Sequence, residues 1–244
     1  MKAKHLIFLI VLYTNTLFVF TQTTETSAHT NNQAQSTATQ ENMQNQEPSV
    51  ISRLVSPQQK KDALKLYTSG KYAESINVCQ EEIAVNPKRV DSYVVMSWAL
   101  VANKEYAEAE YWASEALKFA KYDQRLIEVL AEARFFLGKN DESLELFQEY
   151  ISIVPVNGSR IADAYYFMGE IYIRKGMYDH ADISFSQAVR TDPLYDYWWT
   201  RLGYAREMAG YYRTAFTAYE KSLQLNSSQA DALRGRDRVK AKLQ

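Results

Sequence analysis

Cysteine is nearly missing. Cys79 is the single one in 244 residues, so no internal disulfide can form, and neither a CxxC redox pair nor a cysteine-rich zinc cluster exists. Histidine is almost as scarce: His5, His29 and His180 lie far apart along the chain, and no GxSxG, HExxH or phosphate-cradling glycine loop accompanies them. An enzyme built from this chain would have to work with carboxylates alone. No catalytic or metal-ligating residue is predicted, and no cofactor. Charge of either sign is not in excess, since 28 Lys and Arg face 29 Asp and Glu for a net charge of -1, which gives no electrostatic case for nucleic acid or an anionic membrane. Long apolar runs are missing too. The best is residues 6–13, resumed at 17–20, short of the roughly 18 residues needed to span hydrocarbon.

What is there begins with a contrast in composition. Lys2 and Lys4 precede that interrupted apolar run, the shape of a secretory signal, so residues 1–21 are expected to direct export to the periplasm or cell envelope, with cleavage favoured over permanent anchoring. Membrane contact is then expected only through this segment, where it is retained. From 22 to 55 the chain is mostly Thr, Gln, Asn, Ser and Ala with few large apolar residues, and it is expected to stay a disordered linker.

Beyond it the sequence repeats. Take Gly169 as a mark, with Tyr165 four residues before and Tyr172 three after, then Gly176, Tyr178, Ala181, Phe185, Ala188 and Pro193. A step of 34 lands on Trp199, Leu202, Gly203, Gly210, Tyr212, Ala215 and Tyr219. Matching marks fall at Ala63, Ser97 and Ala131, so that every step is 34 except one of 38 between Ala131 and Gly169, where Val156, Asn157, Gly158 and Ser159 are inserted. Five copies follow: 56–89, 90–123, 124–161, 162–195 and 196–229. Small residues at the eighth and twentieth positions would let two helices approach closely, with aromatics filling the space around them. Pro87, Pro155 and Pro193 stand where each second helix must stop. Residues 230–244 read as a capping helix, with Ala230, Leu233 and Val239 inward and a basic outer face that either solvates the end or meets an acidic partner. Cys79 takes a core position held elsewhere by Ala113, Phe147, Phe185 and Tyr219, and His180 sits at a helix start facing water. The insertion, with Tyr150 overfilling a small slot, predicts a looser junction between units three and four. Asn157 and Asn226 open glycosylation sequons in form, though both suit turns.

The positions Tyr165, Met168, Gly169, Tyr172, Ala181, Phe185 and Pro193 resemble the tetratricopeptide repeat almost residue by residue. The resemblance covers residues 56–229 and implies an all-α fold, a right-handed α-solenoid of five helical hairpins plus the capping helix. It also implies a non-enzymatic scaffold whose concave face, lined by the first helices, binds a peptide segment of another protein. A structural subunit of an envelope assembly or transport machine is the alternative. Carrying the family's groove positions over gives Val94, Trp98, Arg125, Glu128, Glu132, Tyr166, Glu170, Tyr197 and Tyr204. The family's clamp for a C-terminal carboxylate is absent, since Leu64, Val95 and Val129 replace its polar residues. Glu128, Glu132 and Glu170 would form an acidic stripe favouring a partner with Lys or Arg. Changing Glu128 and Glu132 to lysine is expected to abolish capture without unfolding.

Overall fold

Small side chains decide how this chain folds back on itself. A computed structural model of the protein describes residues 62–156 and 158–244. The signal-like segment, the polar linker, the start of the first unit and Asn157 lie outside the described residues. Within them are helices only, arranged as consecutive hairpins: α1 Ala63–Thr68 with α2 Tyr72–Val85, α3 Val90–Ala102 with α4 Tyr106–Leu117, and α5 Gln124–Phe136 with α6 Asn140–Ile153. Then come α7 Ile161–Arg174 with α8 Tyr178–Thr191, α9 Asp196–Met208 with α10 Tyr212–Leu225, and the capping helix α11 Ala230–Lys242. Each helix packs on its hairpin partner and on the next hairpin, so the described part is an all-α solenoid. None of these helices is long and apolar enough to cross a membrane.

Within each hairpin the two helices meet at the expected small residues. Ala109, Ala181 and Ala215 are completely buried, as is Ala131. In units one and three the second helix brings serine to this contact, and its hydroxyl donates to the facing carbonyl: Ser75 to Ala63 at 2.8 Å and Ser143 to Ala131 at 2.7 Å. At Gly169 a Cβ would lie 2.6 Å from the Phe185 ring, so glycine here is what admits the aromatic. Cys79 is a buried free thiol, pushed up to about 12 by burial and so inert as a nucleophile.

Among the described residues the apolar interior falls into three clusters, a small one of Ala215, Tyr219, Ala232 and Val239 at the chain's end and two larger ones that divide on α5. Leu126, Val129, Leu130 and Ala133 pack toward units one and two, whereas Ile127, Ala131 and Phe135 pack toward units four and five. The α6–α7 backbones, on either side of the inserted loop, approach less closely than those at the other unit boundaries. Tyr150 is accommodated there as a buried core residue. At the chain's end the inward residues of α11 are Ala232, Gly235 and Val239. Ala230 is exposed, which corrects its expected inward position, because the helix turns its face to admit Tyr219 against Gly235.

The turns inside the hairpins need one residue with positive φ. Gly70, Gly138, Gly176 and Gly210 supply it in four units, and Lys104 supplies it in the second at φ 66°. An L-residue with a side chain pays about 1–2 kcal/mol for that conformation, partly offset by the greater chain entropy glycine loses on folding. Lys104→Gly should therefore stabilise the protein by about 0.5–1 kcal/mol in urea unfolding; a loss of stability would contradict this account of the turn.

Candidate functional site

The first helices of the hairpins share one face, and the 34-residue period stacks equivalent positions of neighbouring units. Charges on successive first helices should therefore meet. Asp123 caps α5, its carboxylate accepting from the amides of Arg125 at 3.0 Å and Leu126 at 3.4 Å, and it grips the Arg125 side chain at 2.7 Å. So held, Arg125 reaches back to Asp91 of the preceding unit at 2.8 Å. At the end of the same unit, as the residue before α7, Arg160 donates from Nε to Glu128 at 2.6 Å and from Nη2 to Glu132 at 2.8 Å. In unit five, Arg201 holds both oxygens of Glu170 of unit four, at 2.5 and 2.9 Å. The result is a ladder in which an acid on one first helix is neutralised by an arginine on the next first helix or just before it.

Several expected groove residues therefore sit elsewhere than the repeat positions suggest. Val94 has no exposed surface and belongs to the core, packed with Met96 and Ala99, so a bound peptide could not touch it. Glu128 and Glu132 are 2% and 5% exposed and spent on Arg160. They are not an acidic stripe offered to a basic partner, and lysines in their place would confront a buried guanidinium and unfold the joint rather than leave it intact. Trp98 is half-buried, its ring 5.9 Å from Tyr67, and its indole N–H is buried without an acceptor among the described residues. Arg125 and Glu170 are partly exposed but paired as above.

The remaining three expected residues gather around the Glu170–Arg201 pair. Tyr166 is stacked on Trp198 at 5.4 Å, with Tyr197 6.5 Å away, and the Arg201 guanidinium lies 5.1 Å from the Tyr204 ring centroid. All three tyrosines are half-buried. Burial, reinforced by Glu170, drives the Tyr166 phenol well above its ordinary range, so it stays a neutral hydrogen-bonding group. Nothing here pairs a nucleophile with a base, and no group of three metal ligands occurs among the described residues. The arrangement can bind through ring faces and hydrogen bonds.

Arg160 is the residue that repeat positions alone do not find. It ends the inserted loop as the residue before α7, and its counterparts Lys88, Tyr122 and Leu194 in other units are all exposed, the latter two 83% and 72%. The available signal was Glu128 and Glu132, one turn apart on one helix face, with an arginine directly after an insertion. Because one guanidinium serves two buried carboxylates, with Asp163 and Tyr67 also near, the cluster holds more acid than base. Burial first, then the neighbouring Glu132 and Asp163, push Glu128 up to about 8 against the pull of Arg160, and burial raises Glu132 likewise. A carboxyl raised on folding binds a proton the unfolded chain releases, so its contribution is complete below pH 4.5 and is lost as pH climbs toward 8. Stability should thus fall between pH 5.5 and 8, by at most about 1.4 kcal/mol per pH unit for each proton. Urea melts of Glu128→Gln should show a flatter slope; an unchanged slope would contradict the assignment.

Two family descriptions match the chain, both as tetratricopeptide repeat, over residues 62–124 and 162–193. Human protein O-mannosyl-transferase TMTC1 is 22% identical over 159 residues, which is 65% of this chain, and the chain spans only 18% of that relative's length. Among solved structures, MamA residues 41 to the end from Desulfovibrio magneticus RS-1 superposes with a TM-score of 0.60 at 18% identity, covering 69% of this chain and 93% of that one. YrrB, described as a tetratricopeptide-repeat protein with an unusual peptide-binding site, superposes with a TM-score of 0.60 at 15% identity, covering 77% and 98%. At such identities the likeness speaks for the fold. Joined to five hairpins in one register, it shows the fold of an all-α solenoid, and the two matched segments are similar to the tetratricopeptide repeat.

Proposed function

We propose that the protein is a non-enzymatic interaction scaffold that holds a peptide segment of a partner in its concave groove, and that it works after export to the cell envelope. The observation that carries the groove reading is the aromatic row of Tyr166, Tyr197 and Tyr204, half-buried around a salt bridge that is already satisfied. Rings fixed in this way present area to a ligand at little cost in side-chain entropy. YrrB, which shares the fold, is described as having a peptide-binding site, and that supports the same use of this surface. The export half rests on Lys2, Lys4 and the apolar run after them. Since the ladder neutralises Glu128, Glu132 and Glu170 internally, the reading requires no basic partner.

Photo-crosslinking amino acids placed singly at Trp98, Tyr166 and Tyr197, with Ile183 as an exposed site on a second helix, test it in the native cells. Groove positions should give a shared adduct by mass spectrometry that Ile183 lacks. Equal labelling from all four positions would contradict a concave peptide site.

A further inference from the structure

Antiparallel hairpins stacked in one register put the hairpin turns along one edge and the junctions between units along the opposite edge. Four apolar side chains stand out at the junctions. Val85, Tyr122, Val156 and Leu194 are 88%, 83%, 87% and 72% exposed, and no other large apolar side chain among the described residues exceeds the 64% of Ile183. They fall one in each of four consecutive junctions. Val156 and Leu194 each follow the proline that ends a second helix, and Tyr122 takes the same place 34 residues before Val156. Phe119 and Ile153, three residues earlier in two of these junctions, are exposed as well. The fold does not require apolar residues here, since Lys88 and Ser228 fill the same place in the first and last units.

The charge around these tips is mostly positive. The junction loops hold Lys88, Arg89, Lys118, Lys121 and Arg160 against Asp123 and Asp192. Asp123 is spent on Arg125, and Asp192 accepts from the Leu194 amide at 3.3 Å. Lys88 and Lys121 are exposed without an ion-pair partner among the described residues, as is Arg190 near the end of α8. The chain's net charge of -1 conceals this patch, because the balancing acids lie elsewhere.

A protein partner fits such an edge poorly. Protein interfaces need a contiguous packed core and are depleted in lysine, whereas these tips stand singly on separate loops with lysines between them. A bilayer makes no such demand. Its phosphates meet the lysines, a tyrosine ring sits at headgroup level, and valine and leucine pass beneath. Pro155 and Pro193 stiffen the loops that hold the tips out.

We propose that this edge, with Tyr122, Val156 and Leu194 as its apolar tips and Lys88 and Lys121 as its cations, docks on the surface of an anionic lipid bilayer. The contact is independent of the groove and of residues 1–21, where the sequence placed membrane contact. It uses the junction loops and leaves the first helices free for a partner.

The test uses the full chain with Leu9→Asp and Leu12→Asp, which stop the apolar run 6–13 from inserting by itself. An NBD fluorophore is attached to one added cysteine, Val156→Cys or Leu194→Cys at the edge. Ile183→Cys on a second helix and Met177→Cys at a hairpin turn are the controls, and buried Cys79 stays unlabelled. Each chain is titrated with vesicles of phosphatidylethanolamine and phosphatidylglycerol, and separately with phosphatidylcholine vesicles. With the anionic vesicles, labels at 156 and 194 should shift to shorter wavelength and be quenched by spin-labelled lipid, while those at 183 and 177 stay unchanged. Lys88→Glu together with Lys121→Glu should raise the half-saturating lipid concentration about tenfold or more, and high salt should also raise it. These positions are all exposed, so every variant should keep the native thermal midpoint. Silence at 156 and 194 with anionic vesicles overturns the proposal and returns the edge to a protein partner. An equal response at 183 or 177, equal binding to phosphatidylcholine, or an unmoved half-point in the charge-reversed chain overturns it as well.

Discussion

Everything in this molecule depends on how closely the two helices of a hairpin can approach. Where Gly169 or Gly203 faces a ring, or Ser75 and Ser143 donate across the gap, no side chain keeps the backbones apart. Five repetitions of that contact fix the spacing and direction of the first helices. The face that the first helices share is thus a consequence of interior packing.

The same period organises charge. Arg125 and Asp91 occupy equivalent positions 34 residues apart, and Arg160 and Arg201 likewise reach back to acids on the preceding first helix. Such pairs contribute little net stability when exposed, and when buried their desolvation can cancel the attraction. Their effect here is on register, because each pair ties one first helix to the next or to the residue that leads into it. The Arg160 bridge is the extreme case. It spans the joint where the backbones stand furthest apart, and it keeps two buried glutamates from facing each other unscreened.

The hairpins, their small-residue contacts and the break in period were legible in the sequence because they follow from repetition, and Gly169, Ala181 and Cys79 sit where that rule puts them. The groove was less legible. Repeat position fixes which helix face a residue occupies, but depth on that face depends on what comes from the next unit. Val94 is covered by core neighbours, Glu128 and Glu132 are covered by Arg160, and Phe135 is covered by Arg174. Contacts made across units by long flexible cations leave no trace in a one-unit pattern.

The central claim, that small side chains set the approach of the helices, is tested most directly by a double-mutant cycle between Gly169 and Phe185 measured by urea unfolding. In the native background Gly169→Ala should destabilise by about 1–3 kcal/mol, because the new methyl meets the ring. In a Phe185→Leu background the ring is gone, and the same change should be neutral or stabilise by up to about 1 kcal/mol through helix propensity. Equal effects in the two backgrounds would contradict the account.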